Sequence, residues 1–266
     1  GLYHISLTHL PVNEASRYEL SLEINGAAQF SQVRGLSIKN TYEPESDEVI
    51  KNKYGDEFAS NRRLKKAWTA SCLENPDHNY DEPLLFYFKQ GKNHIRLNFT
   101  KPETFVLGEI SIVSQYTPPS YEEYIKSGTV AEGREFIFIE AEDSTAHSDS
   151  NLCPGNDHTD RLTSPYSAKN LLINIIGSSW NFHGQWLEWQ VEVGKSGYYH
   201  LTFRYQQEAL KGMPVARRLS IDGVVPFQEA QAISFPYTDK WDIYTVSNKE
   251  GEPYLFYLEK GTHTIR

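Results

Sequence analysis

The chain has 266 residues, a formal net charge of −9 and a pI near 5.5. This acidic balance argues against nucleic acid and against an anionic membrane surface as partners, since phosphate groups are bound by clustered Lys and Arg. The sequence also lacks any run of about 18 apolar residues, so it predicts no membrane-spanning segment.

The chain opens with two segments in which apolar and polar residues alternate. Every second residue is apolar in residues 1–9 and again in residues 18–24. This alternation predicts antiparallel strands that bury one face. His4 falls on the outward side of the first strand, as does His200 in a later strand, so we expect both histidines to be exposed.

A highly charged stretch, residues 27–66, follows the second strand. Its composition predicts a loop with a short helix around residues 46–54, which Gly55 would end. Trp68 comes directly after this stretch and lies in the next predicted strand. Trp241 occupies the same place later in the chain, and this recurrence favours a core position for both rings.

The recurrence of Trp68 is part of a longer internal repeat. The segment at residues 82–96 returns at residues 252–266 with Glu, Pro, Leu, Phe, Tyr, Gly, Ile and Arg at matching places. A period of about 170 residues is far too long for a solenoid, so the repeat indicates a domain present twice. Each copy of this segment predicts a β-hairpin, with Gly91 or Gly261 supplying a positive φ at the turn.

The two copies are joined by a predicted linker at residues 115–134. Pro118 and Pro119 end the last strand of the first domain, and Ser120 has the character of an N-cap for a short helix over Tyr121–Lys126, with Gly128 as its end. The predicted domains are therefore residues 1–114 and 135–266. The first copy lacks opening strands and the second lacks closing strands, so we expect the chain to be part of a larger polypeptide.

The second domain is predicted to begin with a strand at residues 136–142. An acidic loop follows at residues 143–165, and its His, Cys and Asp residues match no metal-binding spacing, so we expect a solvated polar loop. The clearest strand is at residues 186–193, where Trp186 falls on the outward face. Cys72 and Cys153 lie in different copies and are predicted to be free thiols.

Many short strands, frequent turn signals and no long amphipathic helix predict an all-β protein built from antiparallel sandwiches. Three motifs of the second domain resemble carbohydrate-binding modules of families 6 and 35. They are Ile-Glu-Ala-Glu at residues 139–142, Gly-Gln-Trp-Leu-Glu-Trp at 184–189 and Leu-Glu-Lys-Gly-Thr-His-Thr-Ile-Arg at 258–266. The linker helix and residues 217–223 also resemble the sandwich region of secreted bacterial sugar-transport lipoproteins with a solute-binding domain.

This resemblance implies two tandem jelly-roll sandwiches of the galactose-binding-domain-like type, at an extracellular or cell-surface location in bacteria. It also implies a structural calcium ion held by Glu140 and Glu142, and carboxylate oxygens are ligands that calcium prefers. The alternative is that these residues are two surface glutamates without a metal.

A glycine- and serine-rich stretch at residues 176–184 is the candidate ligand loop. Sugars present flat C–H faces ringed by hydroxyl groups, so their sites combine an aromatic platform with hydrogen-bonding side chains. Trp180 is the predicted platform, and Asn181 and His183 are predicted to bond hydroxyl groups. Trp186 and Tyr237 complete the predicted site. The alternative is that Trp180 plugs one end of the sandwich.

The sequence shows no nucleophile motif, phosphate-binding loop or dinucleotide fingerprint, so it predicts a protein without catalytic activity. Two hypotheses remain. The first is a pair of carbohydrate-binding modules from a larger extracellular bacterial protein, which bind an oligo- or polysaccharide through loop aromatics. The second is a structural or interaction spacer without a ligand of its own.

Overall fold

The structure is a computed structural model that describes residues 1–12, 17–76, 82–101, 104–126, 135–209 and 211–266. Short strands dominate the described residues, and the predicted all-β class is confirmed. No helix in these ranges is long and apolar enough to cross a membrane. Both cysteines are free thiols, as predicted.

The strands are, in chain order, β1 (Leu2–Leu10), β2 (Arg17–Ile24), β3 (Leu36–Lys39), β4 (Tyr42–Pro44), β5 (Ile50–Lys51), β6 (Glu57–Phe58), β7 (Arg62–Leu64), β8 (Thr69–Cys72), β9 (Phe86–Tyr87), β10 (Ile95–Phe99), β11 (Val106–Ser114), β12 (Ala146–His147), β13 (Pro154–Gly155), β14 (Ile175–Ile176), β15 (Leu187–Val193), β16 (Gly197–Tyr199), β17 (Thr202–Tyr205), β18 (Val215–Arg217), β19 (Ile233–Phe235), β20 (Asp242–Thr245), β21 (Phe256–Leu258) and β22 (Gly261–Ile265). The helices are α1 (Tyr121–Lys126) and three 3-10 turns, Ser31–Arg34, Ala141–Asp143 and Gln228–Gln231.

The chain divides into two compact units. Unit 1 comprises Gly1–Tyr116, Ala146–Gly155 and Ile176–Leu187, and unit 2 comprises Thr117–Thr145, Asn156–Ile175 and Glu188–Arg266. The predicted boundaries at 1–114, 115–134 and 135–266 stay predictions. Two segments that follow the predicted linker nevertheless belong to unit 1, and one of them carries the candidate ligand loop.

Unit 1 is a sandwich of two antiparallel sheets. In the first sheet the strand order is β11-β1-β8, and β9 also pairs with β1. In the second sheet the order is β10-β2-β3. The core cluster takes Ile5 and Leu7 from the first sheet and Leu20 and Leu22 from the second, all of them buried. The alternation of apolar residues therefore places one face of each sheet against the other.

Unit 2 repeats the strand pairing of unit 1. Its antiparallel pairs are β15–β22, β16–β21, β17–β20 and β18–β19. The pair β17–β20 corresponds to β1–β8, and β18–β19 corresponds to β2–β3. The turn after β2 also has a counterpart, since Asn25 and Asp222 have φ values of 55° and 51°. The sequence repeat is therefore a repeat of structure.

The predicted hairpins at the repeated segment are wrong. β9 pairs with β1, whereas the following β10 pairs with β2 in the other sheet. In unit 2, β21 pairs with β16 and β22 pairs with β15. The connection therefore carries the chain away from its first sheet instead of folding it back beside itself. The positive φ expected at the turn is confirmed, with 91° at Gly91 and 143° at Gly261.

The helix predicted at residues 46–54 is also wrong. β5 and β6 pair there as a short hairpin. The side-chain oxygen of Asn52 accepts the backbone N–H groups of Tyr54 and Asp56, at 2.8 and 3.0 Å. These bonds close an Asx-type turn, which competes with helical hydrogen bonding.

The strand predicted at residues 136–142 is absent. Residues 135–140 form no ladder, and the next three form a 3-10 turn in which Asp143 N–H donates to Glu140 O at 3.1 Å. Phe136 is 87% exposed and Phe138 is also exposed. The apolar residues alternate here as in a strand, but no neighbouring strand lies beside them to form the ladder that a strand requires.

The short helix α1 is confirmed, and it packs within unit 2. Ser120 and Glu123 form a capping box, in which Ser120 N–H donates to the Glu123 carboxylate at 3.0 Å. The hydroxyl oxygens of Tyr121 and Tyr124 accept the backbone N–H groups of Leu255 and Tyr257. Gly128, the predicted end of this helix, lies outside the described residues.

Three predictions of burial are wrong. His4 is buried, and its Nδ1 lies 3.0 Å from Leu84 O, because the segment before β9 covers it. His147, predicted in a solvated loop, is fully buried. Trp68, predicted in the core, is 55% exposed. His200 is exposed, as predicted.

Phe86→Ala and Phe256→Ala each remove one fully buried ring, from unit 1 and unit 2 respectively. We expect each change to lower the free energy of unfolding of its unit by about 3–5 kcal/mol, because a cavity replaces the ring. Denaturant titration measures this loss. Tyr87→Ala is the matched control, and this exposed neighbour should change stability by less than about 0.5 kcal/mol. A Phe86→Ala protein as stable as the control would contradict the position of Phe86 in the core.

Candidate functional site

The candidate ligand loop, residues 177–186, runs from β14 to β15 and belongs to unit 1. It begins at Gly177, whose φ of 102° favours glycine. The N–H of Trp180 donates to Gly177 O at 2.9 Å, and this bond closes a tight turn. The Ser179 hydroxyl donates to Asn151 O at 2.7 Å and ties the turn to a second segment of unit 1.

Gln185 fixes the tip of this loop from inside. Its side-chain oxygen accepts the backbone N–H groups of Asn181 and Phe182, both at 2.9 Å. Its backbone oxygen accepts the indole N–H of Trp180 at 3.0 Å. Because three donors of the loop converge on one residue, the tip is held in one conformation before any ligand arrives.

The aromatic residues of the loop differ in exposure. Trp180 is half-buried, and its N–H is used within the loop. Phe182 is 69% exposed, and its neighbours Asn181 and His183 are exposed as well. Phe182 was missed by the sequence analysis, although its setting in a Gly/Ser-rich loop is the same signal that singled out Trp180. The exposed tip is therefore Asn181-Phe182-His183, with Trp180 behind it.

The other predicted site residues lie in two different units. Trp186 belongs to unit 1 and is half-buried, and its backbone N–H donates to the Ser148 hydroxyl at 3.0 Å. Tyr237 belongs to unit 2 and is half-buried. Unit 1 alone thus brings together Trp180, Asn181, His183 and Trp186, and these assignments stay predictions.

Unit 2 carries its own polar cluster around Trp241. The indole N–H donates to the Asp157 carboxylate, and the Arg204 guanidinium lies 5.4 Å from the ring centroid. Arg204 also pairs with Asp160. Part of the acidic loop that was predicted to be solvated therefore folds onto Trp241. Each charged group in this cluster already has a partner of opposite charge or a hydrogen-bond donor.

Glu142, one of the two predicted calcium ligands, has an unusual environment. Burial raises the pKa of this carboxyl group to about 7, and the nearby Glu140 and Asp143 add like-charge repulsion. The 3-10 turn at these positions removes the shared strand face on which the prediction relied. Within the described ranges, no three His, Cys, Asp or Glu side chains are grouped as a metal site would require. Calcium at Glu140 and Glu142 stays a prediction.

The pKa of His147, in unit 1, is shifted in the opposite direction. Burial lowers its pKa to about 4, and the positive charge of Arg62 adds to this effect. A neutral, fully enclosed imidazole is a structural feature of unit 1 and offers no surface to a ligand.

Comparison of the chain with protein-family models, with curated proteins and with solved structures finds no match.

Glu142→Gln tests the raised pKa. A carboxyl group with a pKa of about 7 when folded and 4.5 when unfolded contributes stability that is present at acidic pH and lost as pH rises through about 7. Glutamine has no proton to lose. We therefore expect the variant to gain thermal stability over the wild type between about pH 4.5 and pH 7, as measured by thermal unfolding across that range.

Calcium provides the second arm of this experiment. If Glu140 and Glu142 hold calcium, added calcium should raise the unfolding temperature of the wild type at about pH 8. The unfolding temperature of Glu142→Gln should not change. A chelator should reverse the effect. Equal responses of the two proteins to calcium would exclude Glu142 as a ligand.

Proposed function

We propose that the chain is a non-catalytic carbohydrate-binding protein, a pair of galactose-binding-domain-like jelly-roll sandwiches from a larger extracellular bacterial polypeptide. It binds an oligo- or polysaccharide through loop aromatics. The observation that carries this proposal is the rigid loop tip of unit 1, where the exposed Phe182 stands between Asn181 and His183.

The chemistry of this tip suits a sugar. The exposed ring of Phe182 offers an apolar face for C–H groups, and the amide of Asn181 and the imidazole of His183 offer donors and acceptors for hydroxyl groups. Gln185 holds the tip through two backbone bonds, so little conformational entropy is lost on binding. Trp180 supports the tip from behind through its bond to Gln185.

The fold supports the same proposal. Unit 1 is a two-sheet sandwich, and unit 2 repeats its pairing. In a sandwich, loops at the rim carry binding groups because the strands that support them are rigid. Within unit 1, the Ser179 hydroxyl ties the candidate loop to Asn151 O.

A structural or interaction spacer is the second candidate function. It is favoured by the exposed Phe136 and Phe138, which show apolar rings to solvent just before the 3-10 turn of unit 2. Rings of this kind are typical of surfaces that contact another protein segment.

Phe182→Ala and Trp180→Ala test the loop. We expect each to weaken binding to a neutral polysaccharide by about tenfold or more, since the first removes the platform and the second its support. Affinity electrophoresis with soluble cellulose derivatives, galactomannan, arabinoxylan and β-glucan measures binding. Tyr54→Ala, an exposed ring on another loop of unit 1, is the control and should bind like the wild type.

Two outcomes would contradict the proposal. A wild-type protein that is folded and binds none of these polymers would favour the spacer. Loop variants that bind as tightly as the wild type would place the binding site elsewhere.

A further inference from the structure

The two sheets of unit 1 leave a groove open between their edges. β11 lies at one edge of the first sheet and β10 at one edge of the second, and Ile112 of β11 and Ile95 of β10 line the same groove of about 560 Å³. Ile112 pairs with the fully buried Ile5, so its side chain lies on the core face of its sheet, yet it is 43% exposed. Among the described residues, the core of unit 1 is therefore uncovered along this groove.

The backbone of β10 is open at the same edge. In the part of the chain that the structure describes, β10 has a ladder partner on one side only, β2. The N–H of Asn25, just after β2, donates to His94 O at 2.8 Å. Because successive residues of an antiparallel strand turn their backbone groups to opposite sides, those of Ile95 and Leu97 point away from β2. The edge thus offers N–H and C=O groups with the spacing that an added strand requires.

The internal repeat shows what covers the same edge in unit 2. β22 corresponds to β10, because residues 261–266 align with residues 91–96, and β22 pairs with β15. In that register Ile265 lies opposite Trp189, and Ile265 is only 8% exposed. Its counterpart Ile95 has no such neighbour among the described residues and is half-buried. The groove of unit 1 therefore lies where unit 2 has a strand.

The groove also has the matching position along the strand. Three residues at alternate positions of β10 and the turn before it line the groove: Gly91, Asn93 and Ile95. Their counterparts in unit 2 lie opposite the apolar residues of β15, which are Val193, Val191 and Trp189. In unit 1 the groove thus occupies the place that these three side chains take in unit 2.

The charges along this edge complement an acidic strand. In unit 2, Arg266 at the end of β22 pairs with Glu188 of β15 at 2.7 Å. Its counterpart in unit 1 is Arg96, which is exposed and lies 3.5 Å from Glu23 of β2. An added strand with a carboxylate at the place of Glu188 would meet this guanidinium.

We propose that this side of unit 1, the groove together with the edge of β10, docks an extended segment of a partner protein as an added antiparallel strand. The segment has the pattern of β15, in which apolar side chains alternate with polar and acidic ones. The apolar side chains fill the groove, and the acidic ones face Arg96 and Lys92. Lys92 corresponds to Thr262, which lies opposite Glu192 of β15. This docking is independent of the proposed carbohydrate binding.

A strand from another protein suits this place better than two other occupants. A small apolar molecule would fill the groove but would leave the outward backbone groups of Ile95 and Leu97 without protein partners. A second copy of the chain carries the required pattern in β15. However, β15 already pairs with β22 over residues 189–193, and this ladder would have to break.

The test adds a fluorescent peptide with the sequence of residues 187–193, Leu-Glu-Trp-Gln-Val-Glu-Val, to the full chain. We expect saturable binding, measured by fluorescence anisotropy. A peptide of the same composition without the alternation should bind about tenfold more weakly or worse, because its apolar side chains do not all face the groove. A peptide with lysine in place of both glutamates should also bind more weakly, because Arg96 and Lys92 repel it.

Two variants of the full chain probe the docking surface. Ile112→Glu places a carboxylate in the apolar groove and should weaken peptide binding about tenfold or more. Arg96→Glu reverses an exposed charge outside the core and should weaken it about threefold or more. Ile50→Glu, at another exposed isoleucine of unit 1, is the matched control and should bind the peptide like the wild type. Phe182→Ala should also bind it normally, and thermal unfolding checks that each variant is folded.

Amide hydrogen exchange distinguishes an added strand from an adsorbed apolar peptide. Binding should slow exchange at the outward N–H groups of Ile95 and Leu97, because a new ladder protects them. Exchange at Ile50 should not change.

Saturable binding that both groove variants weaken, with slowed exchange at Ile95, supports strand docking. A wild type that binds the peptide no better than the peptide without the alternation overturns it, and so does binding that Ile50→Glu weakens as much as Ile112→Glu. Self-association of the chain that Ile112→Glu abolishes would make a second copy the occupant and would overturn the choice of a partner protein. The peptide test involves no polysaccharide, so its failure leaves the proposed function standing.

Discussion

Each unit depends on a core in which an aromatic ring of the repeated segment packs against a second aromatic ring. In unit 1, Phe86 is fully buried and its ring centroid lies 5.5 Å from that of Phe30. In unit 2, Phe256 is fully buried 5.3 Å from Phe227. The second ring of each pair precedes a 3-10 turn with nearly the same backbone entry. Both copies thus pack this part of the core in the same way.

Much of this arrangement could be predicted from the sequence, because burial imposes a period of two on a strand. The alternation in β1 and β2, the repeat and the capping box of α1 all report local constraints. The choice of the neighbouring strand with which a strand pairs could not be predicted in this way. A strand, a glycine turn and a second strand describe a hairpin and a sheet-to-sheet crossing equally well, so residues 82–96 gave no sign of where β10 pairs. The turn at Asn52 and the burial of His4 beneath the segment before β9 likewise depend on hydrogen bonds and neighbours. The alternation of apolar and polar residues does not report these.

The candidate sites show the same limit. The Gly/Ser-rich composition located the loop, but the inward bond of Trp180 to Gln185, which leaves Phe182 as the exposed ring, is a tertiary outcome. Trp68 and Trp241 are equivalent in the repeat and were expected to be equally buried. Their environments differ because residues 156–160 supply a carboxylate to Trp241, whereas β11 supplies a bare glycine to Trp68. Trp68 and Trp241 occupy equivalent places in the repeat, but distant parts of the chain give them different surroundings.

The sheet-to-sheet crossing also governs how the protein folds. The last strand of unit 1 pairs with the first, so that Tyr3 meets Ser114, and no adjacent strands of the repeated segment can zip together as a local nucleus. Loop-closure entropy must be lost before such distant pairings stabilise the chain, and folding is slow when contact order is high. Each unit is thus expected to form late and in a single cooperative step. Until then its apolar strands stay open to pairing with the homologous strands of the other copy.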